Sequence, residues 1–219
     1  PVHEGIKIVG SHIDSPRLDL KANPVHEQDG IVYFRTHYYG GIKKYQWTCI
    51  PLALIGVVFT KDGKKVDINI GLKDSDPVFY VSDLLIHMAQ DQMKKTLAEG
   101  ITGEQLQAVA GTHSEEGQTP KDAIMTLLKK EYGIEEEDFA AAELELVPAT
   151  KSRDVGFDRS LIASYGQDDR VCSYANLEAI LDAKPGVKTQ AALLTDKEEI
   201  GSYGNTGCLL YTSPSPRDS

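Results

Sequence analysis

The stretch "KTQAALLTDKEEIGSYGNTG", residues 188–207, begins as a short run of apolar and β-forming residues and breaks at Glu198–Glu199 into glycine-rich chain. An apolar run this compact, without strict alternation, reads as a strand of a buried parallel sheet. That reading sets the fold class as α/β. It also raises a problem of charge. Like charges in a confined place repel, and burying either glutamate without a partner is costly. Either the pair lies in open solvent or something positive is expected beside it.

Working outward, residues 169–183 ("DRVCSYANLEAILDA") read as a helix with Val171, Tyr174, Leu177, Ile180 and Leu181 on one side. "GIKIVGSHID" reads as a short buried strand over residues 5–10 that runs into a polar loop punctuated by Pro16. Between these ends lie strands at 30–40, 48–60, 64–72 and 138–149, with a hairpin signal at "KDGK", 61–64. An amphipathic helix is expected from Val81 to Leu97, on Leu84, Leu85, Met88 and Met93, and a second over 120–131. The second starts from Thr119 with Pro120 at its first position. Strand–helix–strand alternation resumes after about residue 150, the pattern of a β-rich domain inserted into an α/β domain.

Composition narrows the function classes. A net charge of −10 argues against nucleic acid as the main partner, although a bound metal would add positive charge that this count does not include. There is no apolar run of membrane-spanning length. The cysteines, Cys49, Cys172 and Cys208, are odd in number and lack metal-type spacing, which points to a reducing, cytoplasmic setting. The chain enters its first strand without an initiator Met or signal peptide, and "CLLYTSPSPRDS", 208–219, reads as a non-native tail on a truncated chain.

Three stations carry chemistry. In "GSHIDSP", His12 and Asp14 share a face if the extended geometry continues, and a carboxylate that holds one ring nitrogen leaves the other oriented for metal. An ordinary surface loop gives the same spacing. In "YGQDDRV", Asp168–Asp169 is either a helix cap or a bridging ligand followed by a cap. On extended chain, Glu198 and Glu199 point to opposite sides, so one can bind metal while the other handles a proton. A solvated pair is the alternative. Paired glycosidase carboxylates stand across a substrate and fit adjacent residues poorly.

In this order, "GSHIDSPRLDLK", "HYYGGIKKYQW", "DVGFDRSLIASYGQDDRVCSYANL" and "DKEEIGSYGNTG" resemble the aspartyl aminopeptidase and vacuolar aminopeptidase I family of dinuclear zinc aminopeptidases, and the likeness covers nearly all of residues 5–207. The resemblance implies a zinc-peptidase-like α/β domain, a mixed β-sheet flanked by helices, at 1–23 and 149–207. It places an inserted β-rich dimerisation domain at 24–148. It makes His12, Asp168 and Glu199 zinc ligands, Asp14 the carboxylate that orients His12, and Glu198 the general base and acid. It further implies a cis peptide between Asp168 and Asp169, and His87 reaching into a neighbouring subunit's active site. Two Zn2+ per complete subunit, peptide substrates and a dimer-based homo-oligomer, up to a dodecamer, follow from it.

The family's remaining ligands have no match after Gly207, so the chain is expected to be an inactive fragment with exposed apolar surface. Two other functions fit the same residues. One is a metal-dependent deacylase or amidohydrolase on a related scaffold, and the other a non-catalytic oligomerisation subunit.

Overall fold

The computed structural model describes residues 2–204, so the suspected tail at 208–219 lies outside the described residues. In chain order the strands are β1 (Ile6–His12), β2 (Arg17–Gln28), β3 (Ile31–Tyr39), β4 (Pro51–Phe59), β5 (Lys65–Ile70), β6 (Phe79–Tyr80), β7 (Ala108–Gly111), β8 (Ala142–Pro148), β9 (Arg153–Val155), β10 (Leu161–Ala163) and β11 (Thr189–Thr195). The helices are α1 (Leu97–Gly100), α2 (Pro120–Tyr132) and α3 (Gln167–Asp182). The chain divides into two compact units, one running from Arg17 to Lys151 and the other formed by the chain up to Pro16 and from Ser152 onward.

In the unit from Arg17 to Lys151, the sheet has the order β5-β4-β6-β7-β3-β2-β8, and β8 pairs again with β4. The pairing therefore runs full circle through antiparallel partners, and closure removes most free strand edges. On one side of β4, β6 takes Pro51–Leu52 and β5 takes Leu54–Phe59, while β8 takes Leu52–Val58 on the other. Leu18, Val32, Phe34, Leu52, Leu54, Val58, Leu144 and Leu146 are buried inside, where each large side chain contributes about 1.5–3 kcal/mol. α2 starts as its sequence predicts: Thr119 Oγ accepts from the Asp122 N–H at 3.1 Å, and the Asp122 carboxylate accepts from the Thr119 N–H.

Two features differ from the sequence reading. β2 has no counterpart among the strands read from the sequence, which places none between Pro16 and residue 30. Its alternation is broken at Pro24, where the strand bulges: Leu20 pairs with Thr36 and Val25 with Phe34, leaving residues 21–24 opposite Arg35 alone. A proline, lacking an N–H, is tolerated in a bulge. The signal that marks β2 is Asp29–Gly30, whose φ values of 52° and 75° make the two-residue turn that matches strand twist.

The other difference is the expected helix at 81–97, which is a chain of turns followed by a short 3-10 segment and the single turn of α1. Asp83 accepts from the Leu84 N–H and from Gln92, a local bonding that competes with helix. Leu84, Leu85, Ile86, Met88 and Met93 are exposed, so no apolar face is packed to stabilise a helix there.

The other unit is built on β1 and β11, paired in parallel from Ile6 opposite Thr189 to His12 opposite Thr195, with β9 and β10 forming an antiparallel hairpin. α3 lies against the parallel pair through small polar side chains. Asn176 Nδ2 donates to the Val9 and Leu193 carbonyls, and Ser173 Oγ donates to the His12 carbonyl at 2.7 Å. The apolar side of the helix does not face the strand pair: Val171, Tyr174, Leu177 and Leu181 are exposed, as are Ile6, Ile8 and Val9 of β1. Hydrogen bonding to strand carbonyls decides which face of α3 packs here. Apolar periodicity does not report that choice.

One position tests the closure of the ring. Gly56 has φ +134°, and a Cβ there would meet the Glu143 carbonyl oxygen at 2.0 Å, where β4 and β8 pair. Gly56→Ala is expected to cost about 3 kcal/mol or more and to lower the melting temperature clearly. Gly63→Ala, at a hairpin glycine with open space around it, is expected to cost only about 1 kcal/mol. Equal melting of the two variants would show that the β4–β8 approach is not tight.

Candidate metal centre

Because β1 and β11 run parallel and end with His12 opposite Thr195, the segments that follow leave the strand pair at the same end. The Ile13 N–H donates to the Thr195 carbonyl at 2.9 Å and extends this alignment one residue further. Asp14, buried just beyond, then joins the two segments. Its Oδ1 lies 3.2 Å from His12 Nδ1 and accepts from the Glu198 N–H at 3.3 Å; its Oδ2 accepts from the Glu199 N–H at 3.1 Å. One carboxylate thus orients the imidazole and anchors the backbone of both glutamates.

Glu198 and Glu199 lie on a 3-10 turn, Glu198–Ile200, and not on an extended continuation of β11. The turn is entered through Lys197 at φ +70° and closed by the Gly201 N–H donating to the Glu198 carbonyl. Strand alternation therefore does not set their directions; the turn and the Asp14 anchor do. Lys197 also forms an ion pair with Asp196 at 2.9 Å.

The third segment is the entrance to α3. Asp168 and Asp169 have non-helical backbone angles, and the peptide between them is cis. Asp169 Oδ1 accepts from the Cys172 N–H, as a helix cap does. Asp168 is left to project: its side chain is 83% exposed, and its Oδ1 lies 3.3 Å from His12 Nε2. Asp169 Oδ2 at 3.8 Å and Glu198 Oε2 at 3.7 Å face the same ring nitrogen.

Ligand atoms of His12, Asp168 and Glu199 all lie within 4.8 Å of one another. The donor set is one imidazole nitrogen and carboxylate oxygens, a set that suits zinc, with the imidazole held from behind by a carboxylate. Negative charge exceeds positive at the cluster, so the residues present fit a cation. His87, the remaining site candidate, is carried by the other unit, exposed on a turn. Sequence reasoning missed Ser15 and Tyr165, whose hydroxyls donate to the carbonyls of Asp168 and Pro16. Hydrogen bonds between segments about 150 residues apart leave no local pattern to read.

The charge excess shows in the titration of the site. Burial disfavours the charged imidazole of His12. The Asp14 hydrogen bond and the charges of Glu198, Asp14 and Asp169 outweigh that and hold it above its ordinary value of 6.5. Burial, then the charges of Asp168 and Glu198, push the Glu199 carboxyl up, against the pull of His12. Both groups therefore hold a proton to higher pH than they would in water, and a proton competes there with a cation. Affinity for Zn2+ or Co2+ is expected to fall as pH is lowered and His12 takes up its proton, by about tenfold per unit once that proton is bound. Calorimetry in buffers of different ionisation enthalpy checks this; binding without proton release would contradict it.

Set beside known proteins, the sequence matches the family described as aminopeptidase I zinc metalloprotease (M18) over residues 1–210. It is 52% identical over 211 residues to a probable M18 family aminopeptidase 1 of Clostridium acetobutylicum, covering 94% of this chain and 45% of that one. The structure matches a crystal structure of an M18 family aminopeptidase from Thermotoga maritima with a TM-score of 0.91 at 48% identity, covering 95% of this chain and 46% of that one. The S. cerevisiae mApe1 dodecamer shares the fold with a TM-score of 0.66 at 20% identity, over 93% of this chain and 46% of that one. The chain spans about half the length of the relatives it matches.

Proposed function

Since the chain belongs to the M18 family of aminopeptidase I zinc metalloproteases, we propose that the protein carrying it hydrolyses the N-terminal residue from peptides, with His12, Asp168 and Glu199 as zinc ligands. The observation that carries this reading is the convergence of those three side chains, from three separate segments, within 4.8 Å. The proposal includes a second zinc, toward which the exposed carboxylate of Asp168 would also serve as a ligand. Zinc, when bound, supplies the Lewis acidity that polarises a peptide carbonyl and lowers the pKa of water.

The chain's own residues do the rest. Asp14 fixes the His12 ring and the turn of both glutamates, so the ligand and the base keep one spacing. Glu198, whose side chain is 55% exposed, takes a proton from the attacking water and returns one to the leaving amine. The surplus carboxylates attract the substrate's free ammonium group, which favours attack at the first peptide bond.

His87 acting in a neighbouring subunit, within a dimer-based homo-oligomer, is part of the same proposal, and the exposed apolar run around it supports it. A cytoplasmic location is proposed as well. Among the described residues, no helix is long and apolar enough to cross a membrane. The deacylase alternative is not favoured, since the matched family and the Clostridium relative are both described as aminopeptidases. Activity is proposed for the complete protein and not for this chain alone.

Glu198→Gln in the complete protein is expected to keep its zinc but lose about 10²–10⁴-fold in kcat. Near-normal turnover would remove Glu198 from the role of base. Release of aspartate, glutamate and leucine from model amides, with and without a chelator, measures the residue preference and the metal requirement together. Mixing His87→Ala with Glu198→Gln subunits is expected to restore part of the activity that each lacks alone. No recovery on mixing would argue against a shared site.

A further inference from the structure

Asp168 differs from the other candidate ligands in how it is held. His12 is half-buried and tied through Nδ1 to Asp14, and Glu199 hangs from a backbone anchored by the same carboxylate. The Asp168 carboxylate projects into solvent, and its own backbone lies outside regular helix. An exposed side chain of this kind has freedom to rotate away, so its reach toward His12 depends on where the main chain places its Cα.

The main chain there is tied to the Asp14 segment by hydroxyl groups. Ser15, only 6% exposed, donates from Oγ to the Asp168 carbonyl at 3.1 Å. Tyr165 donates from its phenol to the Pro16 carbonyl at 2.6 Å. Between them Gly166, at φ +76°, leaves the Ser15 hydroxyl its space: a Cβ there would stand 3.3 Å from Ser15 Oγ. Residues 14–16 thus form a hub, with Asp14 holding the glutamate turn and Ser15 and Pro16 holding the aspartate loop.

We infer that Ser15 is a positioning residue for the cation site, acting through the Asp168 main chain to set the third ligand against His12. This rests on the reading of Asp168 as a ligand. Ser15 acts through the Asp168 carbonyl, and its effect is to keep the Asp168 loop and the Asp14 segment at one spacing. Loss of a group that orients a ligand lowers metal affinity by about 10–100-fold in comparable sites.

The test uses the complete protein and Co2+ as the probe, with Ser15→Ala, Tyr165→Phe and Asp168→Asn. Two readouts are taken: the visible spectrum of bound Co2+, and the difference in melting temperature between Co2+-loaded and chelated protein. A positioning role predicts that Ser15→Ala weakens Co2+ binding by about tenfold or more, alters the spectrum in the direction of Asp168→Asn, and shrinks the melting difference while the chelated protein melts almost unchanged. Tyr165→Phe, which cuts the second tie, is expected to move the same readouts less, and it carries the test if Ser15→Ala does not fold.

Equal lowering of the loaded and chelated melting temperatures would make Ser15 merely structural and overturn the inference. Unchanged affinity and spectrum would overturn it as well. If Asp168→Asn itself leaves Co2+ binding intact, the ligand reading of Asp168 fails first, and the role of Ser15 falls with it.

Discussion

The site depends on one buried carboxylate. Asp14 accepts from the His12 ring and from two consecutive main-chain N–H groups, at residues 198 and 199. Charge-assisted bonds of this kind are about twice as strong as neutral ones, and here they cross 184 residues of chain. An acceptor held by donors from two segments is fixed in place. That resolves the problem posed by Glu198–Glu199. Repulsion between the two side chains is opposed by a main-chain anchor, and their negative charge is left available for a cation.

The parallel pairing of β1 and β11 makes such a junction possible. Parallel strands start and stop at the same ends, so residues just past both strands are neighbours without any further device. In open α/β sheets, ligands collect at the carboxyl ends of the strands for this reason. α3 adds the third segment because Ser173 bonds to the carbonyl of His12 itself, which fixes the helix entrance against the residue it must serve. Each contact that builds the fold here also sets the spacing of the site.

Much of this was legible in residue types and much was not. The α/β class, the strands at β3, β4 and β5, the cap at Thr119 and the charged stations of His12, Asp168 and Glu199 all announce themselves locally. β2 was missed because Pro24 interrupts its alternation, and 81–97 was misread because clustered leucines and methionines look the same on a helix and on an unpacked turn. The inverted packing of α3 was invisible for a related reason. Asn176 and Ser173 are polar by type but face strand carbonyls, a preference that depends on partners far along the chain. The Asp14 anchor belongs to the same class, since its donors are main-chain groups present at every residue.

The closed sheet has one further consequence. Its first strand, β2, and its last, β8, are paired with each other, Leu18 opposite Leu146 and Asp19 opposite Glu145. The strands by which the chain enters and leaves this sheet are therefore about one strand spacing, roughly 5 Å, apart. To its host, this unit is the width of a hairpin, whatever it contains. The sheet is thus entered and left on neighbouring strands, and a splice that replaced all of it would need to span only that pair.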